Sequence, residues 1–143
     1  MRQSEHNWKT CRNDLLLEVN NHYDLYEKVT DIRGANKLHY RLSFFEDGCV
    51  PENRWMIFPD MGHVVAFTYT VVVVLLSQLQ CLTFLPLHSR PPSSDKIRVL
   101  GIGLMNGDHF VQVKLKACSL MPPIGSNSDG RRPRNGRHFF LAK

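Results

Sequence analysis

The stretch Thr70-Val71-Val72-Val73-Val74-Leu75-Leu76 decides the fold of this chain. Valine, with its β-branched side chain, fits a pleated strand well. An unbroken apolar run is typical of a strand covered on both faces, whereas a half-exposed strand alternates apolar and polar residues. The sequence therefore predicts that this stretch forms a central strand of a sheet.

The neighbouring segments predict the layers around this strand. Before it, Asp60 can cap a helix that continues to about Tyr69. After it, strands are predicted at 82–87, 96–103 and 109–116, with Pro86 placing the end of the first of these at a sheet edge. This order predicts an α/β (α+β) fold, in which helices pack on a small mixed sheet of about four strands.

The first 54 residues have a less regular pattern. Residues 4–27 carry apolar side chains at helical spacing, with Ser4 as the N-cap and a weak point at Asn20-Asn21, where the helix can break. Residues 30–54 are polar and are interrupted by glycines and a proline. For this segment the sequence predicts mostly loop, with a short helix at 37–45.

Charge is unevenly distributed along the 143 residues. The formal net charge is +5, of which residues from Ser128 onward contribute +4, with five Lys/Arg and one acid. Residues 1–127 are therefore near neutral, which argues against a nucleic-acid groove in the globular part. We predict one domain over residues 1–123 and a basic, disordered tail over residues 124–143 that could contact nucleic acid.

Cysteine spacing and hydropathy exclude several protein classes. The four cysteines form no Cys-x-x-Cys pair, so a zinc ribbon or redox motif is not expected, and no metal or cofactor is predicted. The longest apolar stretch, residues 64–76, is shorter than the roughly 20 residues of a membrane-spanning helix. The polar N-terminus lacks the apolar core of a signal peptide. We expect an intracellular protein, cytoplasmic or nuclear, with reduced thiols and no membrane partner.

One histidine stands at the mouth of a predicted strand. Asn106-Gly107-Asp108 is a turn signal, and His109 opens a run that alternates apolar and polar residues up to Lys116. A rigid strand end beside a loop can hold a catalytic imidazole. His109 is therefore the candidate catalytic residue, and the simpler alternative is a solvated turn histidine.

Several blocks, in this order and at this spacing, resemble the C-terminal half of an ovarian-tumour-type (OTU) cysteine peptidase domain. They are most similar to the divergent form in plant, transposon-associated and uncharacterised proteins, and the resemblance covers roughly residues 5–123. The blocks are Trp8-Lys9-Thr10-Cys11-Arg12, Arg54-Trp55-Met56, Asp60-Met61-Gly62-His63-Val64-Val65-Ala66, Tyr69 to Ser77, Cys81-Leu82-Thr83-Phe84-Leu85-Pro86-Leu87, Ile102-Gly103, His109-Phe110-Val111-Gln112-Val113 and Met121-Pro122-Pro123.

The resemblance implies a thiol peptidase that removes ubiquitin from lysine side chains. In that family the nucleophile is a cysteine in an Asp-Gly-(Asp/Asn)-Cys stretch at the start of a helix, where the helix dipole favours the thiolate. His109-Phe110 matches the position of the family's histidine. Two residues further on, where the family often has Asn or Asp to orient the imidazole, this chain has Val111. Asp108 is an alternative orienting group.

The family's nucleophile stretch is expected before the helix that begins near Ser4, and the sequence does not contain it. Asp47-Gly48-Cys49 imitates part of the stretch, but it follows the first helix, so we interpret Cys49 as a loop cysteine. A histidine base needs a nucleophile within hydrogen-bond reach. We therefore expect a truncated OTU-like domain, of the deubiquitinase family, that is inactive as a hydrolase.

Two alternatives remain open at this point. The chain could be a non-catalytic module that binds ubiquitin or a ubiquitinated protein through the strand face and its flanking loops. It could instead be a transposon-derived protein whose basic tail, with Arg131, Arg132 and Arg134, contacts nucleic acid.

Overall fold

Three helices and a four-stranded sheet form the fold, as seen in a computed structural model that describes residues 7–58, 60–86, 96, 98–107, 109–117 and 119–124. The predicted N-cap Ser4, Asp108, Cys118 and residues 125–143 lie outside these ranges. The helices are α1 (Trp8–Asn21), α2 (Tyr23–Leu42) and α3 (Asp60–Tyr69). The strands are β1 (Val72–Ser77), β2 (Leu82–Phe84), β3 (Val99–Met105) and β4 (His109–Val113), and a 3-10 turn covers Glu52–Arg54.

The prediction of mostly loop after residue 30 is wrong, because α2 continues to Leu42. Asp31 interrupts the helix with a φ of 67°, and its Oδ1 accepts a hydrogen bond from the Gly34 N–H at 2.8 Å. The aspartate thus acts as a cap that restarts the helix. Beyond it, Ala35, Leu38 and Leu42 are buried at helical spacing. This apolar stripe, diluted by polar neighbours, outweighs the helix-breaking signal of Gly34.

The predicted α+β fold with a central valine strand is confirmed. The strand order is β2-β1-β3-β4, in which β1 pairs antiparallel with β2 and parallel with β3, and β3 pairs antiparallel with β4. Of β1, the residues Val72, Val73, Val74 and Leu75 are all buried. The strand therefore has apolar cover on both faces, as its composition requires.

Different parts of the chain cover the two faces of the sheet. On one face, Val73, Leu75 and Phe84 pack with Ala66 of α3. On the other face, Val72, Val74 and Leu85 are packed against Leu115, Met121 and Ile124. The same C-terminal segment caps the outer edge of β2, since the Thr83 N–H donates to the Pro123 carbonyl at 2.9 Å. Such pairing protects an edge strand from unwanted partners.

α1 and α2 form a further layer behind α3. Leu15, Val19, Tyr26, Leu38 and Leu42 pack there with Met61, Val64 and Phe67 of α3. The rings of Tyr26 and Phe67 meet edge to face with centroids 5.7 Å apart, an arrangement that aromatic pairs favour. α3 therefore lies between the helical layer and the sheet. Within the described ranges, no helix combines the length and the apolar character needed to cross a membrane.

β4 is an exposed edge strand and not the half-buried strand that its alternation predicts. His109, Phe110, Val111 and Gln112 are all exposed, and only Val113 is partly buried. The alternation is real, but no described element of the chain covers the end of the sheet at β4. Apolar residues thus remain at the surface near the candidate histidine.

His63 of α3 is a buried imidazole that should make the fold sensitive to acid. Its ring lies edge-on to Phe84 at 5.1 Å, and burial lowers its pKa to about 4. The unfolded chain therefore binds a proton between about pH 6.5 and pH 4 that the folded chain does not, so stability falls as the pH is lowered through this window.

We predict that His63→Leu reduces the acid sensitivity of the fold. Between pH 7 and pH 4.5 the protonation of His63 should cost the wild type about 2 to 3 kcal/mol of unfolding free energy, and this cost is absent from the variant. Urea unfolding at both pH values measures the difference. The exposed His39→Leu serves as a control and should keep the wild-type pH dependence. An unchanged pH dependence in His63→Leu would contradict the buried, neutral imidazole.

Gly62 permits the contact between α3 and β2. A Cβ built at this position lies 2.5 Å from the ring of Phe84, closer than real carbon atoms approach. Gly62→Ala should therefore lower the unfolding free energy by about 1 to 3 kcal/mol, although alanine is the better helix former. The cost should shrink when the same change is made in a Phe84→Leu background, as a double-mutant cycle by denaturant unfolding can show. An equal cost in both backgrounds would locate the strain elsewhere.

Candidate functional site

A groove of about 610 Å3 opens beside the start of β4. One wall consists of Leu104 at the end of β3, Gly107 in the turn, and His109 and Phe110 of β4. The opposite wall comes from the loop that connects α2 to α3, and α1 contributes one residue. Its eleven lining residues are Arg12, Val50, Glu52, Trp55, Met56, Ile57, Phe58, Leu104, Gly107, His109 and Phe110.

The Asn-Gly turn positions His109 at the rim of this groove. Asn106 and Gly107 both have positive φ, 54° and 84°, which is the geometry that these two residue types adopt readily. The turn closes the β3–β4 hairpin, and Met105 and His109 form its last cross-strand pair. His109 is exposed, so a bound molecule can reach it. The predicted site residue thus lies in a surface groove, beside a wall of aromatic rings.

A row of aromatic rings connects the groove to the core. Phe58 packs between the buried Phe84, at 5.8 Å, and the exposed Phe110, at 5.6 Å. Trp55 is 44% exposed, and its indole N–H donates to the carbonyl of Val50 at 2.9 Å. This bond holds the loop in shape while the ring stays accessible. The exposed indole contributes an apolar surface to the groove.

Arg12 also lines the groove, and the sequence pattern assigned no functional role to it. It is 7% exposed, and its guanidinium donates to the carbonyls of Arg41 at 2.5 Å and Arg54 at 3.2 Å. The signal was present, because Arg12 occupies the buried stripe of α1 together with Leu15 and Val19. A charged residue in an apolar stripe indicates a special role.

None of the described cysteines is a lining residue of the groove. Cys11 is partly buried on α1, where it hydrogen-bonds the hydroxyl of Tyr69, and burial followed by this contact raises the pKa of that hydroxyl. Cys81 is exposed, and its thiol contacts the Ser77 carbonyl. Cys49 is an exposed loop residue next to Val50, which does line the groove.

The arrangement suits binding of an extended, partly apolar chain. Open grooves lined by aromatic side chains with few polar groups are typical ligand sites. An imidazole at the rim could act on a thiol brought within hydrogen-bond reach. Among the residues that the structure describes, no group of three or more His, Cys, Asp or Glu side chains could hold a metal ion.

Comparisons with protein-family models, with curated proteins and with solved structures found no match to this chain.

Phe58 and Phe110 should contribute unequally to stability although both line the groove. Phe58→Ala removes the ring between the core and the surface and should cost about 3 kcal/mol, within the range for large core truncations. Phe110 is 47% exposed, so Phe110→Ala should cost about 1 kcal/mol or less because little buried area is lost. Chemical denaturation of both variants tests this order, and equal losses would mean that Phe110 is part of the core.

Proposed function

We propose that this chain is the histidine-bearing part of an OTU-like cysteine peptidase domain, and that by itself it binds a ubiquitin-type substrate without cleaving it. The observation that carries the proposal is the position of His109, which opens β4 at the rim of an aromatic-lined groove. The order of the sequence blocks supports the same family. An intracellular location, cytoplasmic or nuclear, belongs to this proposal.

Lack of cleavage is proposed from the chemistry of the groove. An OTU-like reaction needs a thiolate near the imidazole, and no cysteine is among the described residues that line the groove. The sequence contains no Asp-Gly-(Asp/Asn)-Cys stretch. The groove and the imidazole alone can hold a substrate, but they cannot form the acyl-enzyme intermediate of a thiol peptidase.

A non-catalytic binding module is the second candidate, and the exposed apolar residues favour it. Trp55, Ile57 and Phe110 are each close to half exposed around the same groove. Exposed apolar clusters of this kind mark interaction sites more often than isolated apolar residues do. This candidate differs from the first in ancestry and not in the contact it makes.

Titration of isotope-labelled ubiquitin with the chain tests the binding. We expect saturable amide shifts that are weakened at least several-fold by Phe110→Ala, since this change removes a wall of the groove. His39→Ala, on the exposed side of α2, is the matched control and should leave the shifts unchanged. Absence of shifts with the wild-type chain at high concentration would overturn the proposed ubiquitin partner.

Hydrolysis of a ubiquitin–lysine isopeptide tests the second half of the proposal. We expect no turnover by the chain alone under conditions in which an active thiol peptidase cleaves the same substrate. Turnover that disappears in His109→Ala would show a working peptidase and would overturn the proposed inactivity. Cys49→Ser and Cys81→Ser would then identify whether either of these exposed thiols is the nucleophile.

A further inference from the structure

The most buried residue of the groove lining is a charged one. Arg12 is 7% exposed, whereas the other lining residues are partly or fully exposed. Burial of a guanidinium costs free energy unless hydrogen bonds and opposite charge compensate for it. The contacts of Arg12 therefore show how much of that compensation the chain itself provides.

Among the described residues, carbonyl oxygens and no carboxylate accept the hydrogen bonds of Arg12. Arg12 donates to the Arg41 carbonyl, in the last turn of α2, and to the Arg54 carbonyl, and it lies 5.8 Å from the ring of Trp8. The two carbonyl bonds leave part of the five-donor guanidinium unused. In the described part of the chain, the ion pairs join Lys9 with Asp47 and His22 with Glu18, and neither includes Arg12.

The charged group that acts on the Arg12 guanidinium is Arg54, which is also positive. Burial, and then the positive charge of Arg54, lower the pKa of the Arg12 guanidinium. Arg54 itself stacks on Tyr40 at 3.5 Å and donates to the Ser43 hydroxyl at 3.2 Å. Glu52 also lines the groove, but it is an exposed residue of the 3-10 turn and forms no ion pair with Arg12. The groove therefore contains a positive charge that no described carboxylate balances in an ion pair.

We infer that the groove binds the C-terminal carboxylate of an extended peptide, with Arg12 as the group that holds the carboxylate. Guanidinium binds carboxylate through charge-assisted, frequently paired hydrogen bonds. A chain terminus places its carboxylate beside the apolar side chains of the same peptide, and both kinds of group have a counterpart among the lining residues. Seven of the eleven lining residues are apolar, which favours a peptide over a polyphosphate strand.

This inference extends the proposed function by naming the group that is recognised. A ubiquitin-type tail that is not joined to a lysine ends in a carboxylate of this kind. The inference rests on the proposed function only for the identity of the natural peptide. Carboxylate binding itself depends on Arg12 and the groove and not on hydrolysis.

Binding of a matched pair of peptides to the full chain tests it. The probes are fluorescein-labelled hexapeptides of leucine, valine and glycine that differ only in ending as a free acid or as an amide, followed by fluorescence anisotropy. We expect the acid to bind about ten-fold or more tightly than the amide, since a hydrogen-bonded charged group contributes about 1.5 to 3 kcal/mol. Equal affinities, or no saturable binding of either peptide, would overturn the inference.

Variants of Arg12 test whether this residue causes the preference for the free acid. Arg12→Lys keeps the charge but loses the fork geometry, so it should weaken acid binding several-fold and leave amide binding unchanged. Arg33→Gln, at an exposed position of α2, removes a positive charge elsewhere and should leave the preference for the acid intact. Because Arg12 also connects α1 to the end of α2, thermal unfolding is recorded for each variant. If Arg12→Lys does not fold, the difference in affinity of the wild-type chain for the acid and the amide tests the inference.

A third peptide tests whether the groove recognises an acidic side chain instead of a terminal carboxylate. It carries an aspartate inside the sequence and ends as an amide, and binding as tight as that of the free acid would overturn recognition of a terminus in favour of an acidic side chain. Comparison with the ubiquitin titration distinguishes the two proposals. Acid-selective peptide binding without ubiquitin shifts contradicts only the ubiquitin partner, and ubiquitin shifts without acid selectivity contradict only the role of Arg12.

Discussion

Burial of β1 on both faces is the constraint on which the rest of the structure depends. Val73 and Leu75 require a layer on one side of the sheet, and Val72 and Val74 require one on the other. α3 supplies the first and the segment that ends at Ile124 supplies the second. Since β3 lies parallel to β1, the chain must cross over from the end of one strand to the start of the other before the β3–β4 hairpin can form.

Glycine on β3 allows the hairpin to close tightly beside this strand. A Cβ on Gly101 would lie 2.4 Å from the Val113 carbonyl, and one on Gly103 would lie 3.0 Å from the side chains of Val111 and Val113. The close approach fixes β4 against β3 as an exposed edge, with Phe110 in contact with Phe58. The groove is therefore a consequence of the packing that surrounds β1, and its aromatic wall is continuous with the core through Phe84.

Arg12 joins three separate parts of the chain beside the groove. It extends from α1 to the carbonyl at the end of α2 and to the loop that carries Trp55. The negative end of the α2 dipole partly offsets its charge. One side chain thus stabilises the helical layer and also lines the groove. A substitution at this position should therefore affect both the stability of the fold and the binding of a ligand.

Some elements of the structure could be predicted from the sequence and others could not. Apolar runs without interruption specify their own burial, so the central strand, α3 and the hairpin turn were predicted correctly. The second half of α2 was not, because the cap provided by Asp31 depends on a backbone angle that residue types only weakly indicate. The exposure of β4 was also missed, since alternation shows that a strand has two unlike faces but not whether anything covers the apolar one.

The sequence by itself determined the helix-then-sheet order, the buried β1 and the turn that presents His109, because each depends on local pattern and on the free energy of burying contiguous apolar side chains. Only the tertiary structure decided that His109, Trp55, Phe58 and Arg12 share one groove. These residues come from α1, the loop before α3 and β4, and side chains so far apart in the chain meet only when the layers pack. The physical reason is that the cover of β1 sets the positions of those layers, and no local pattern carries that information.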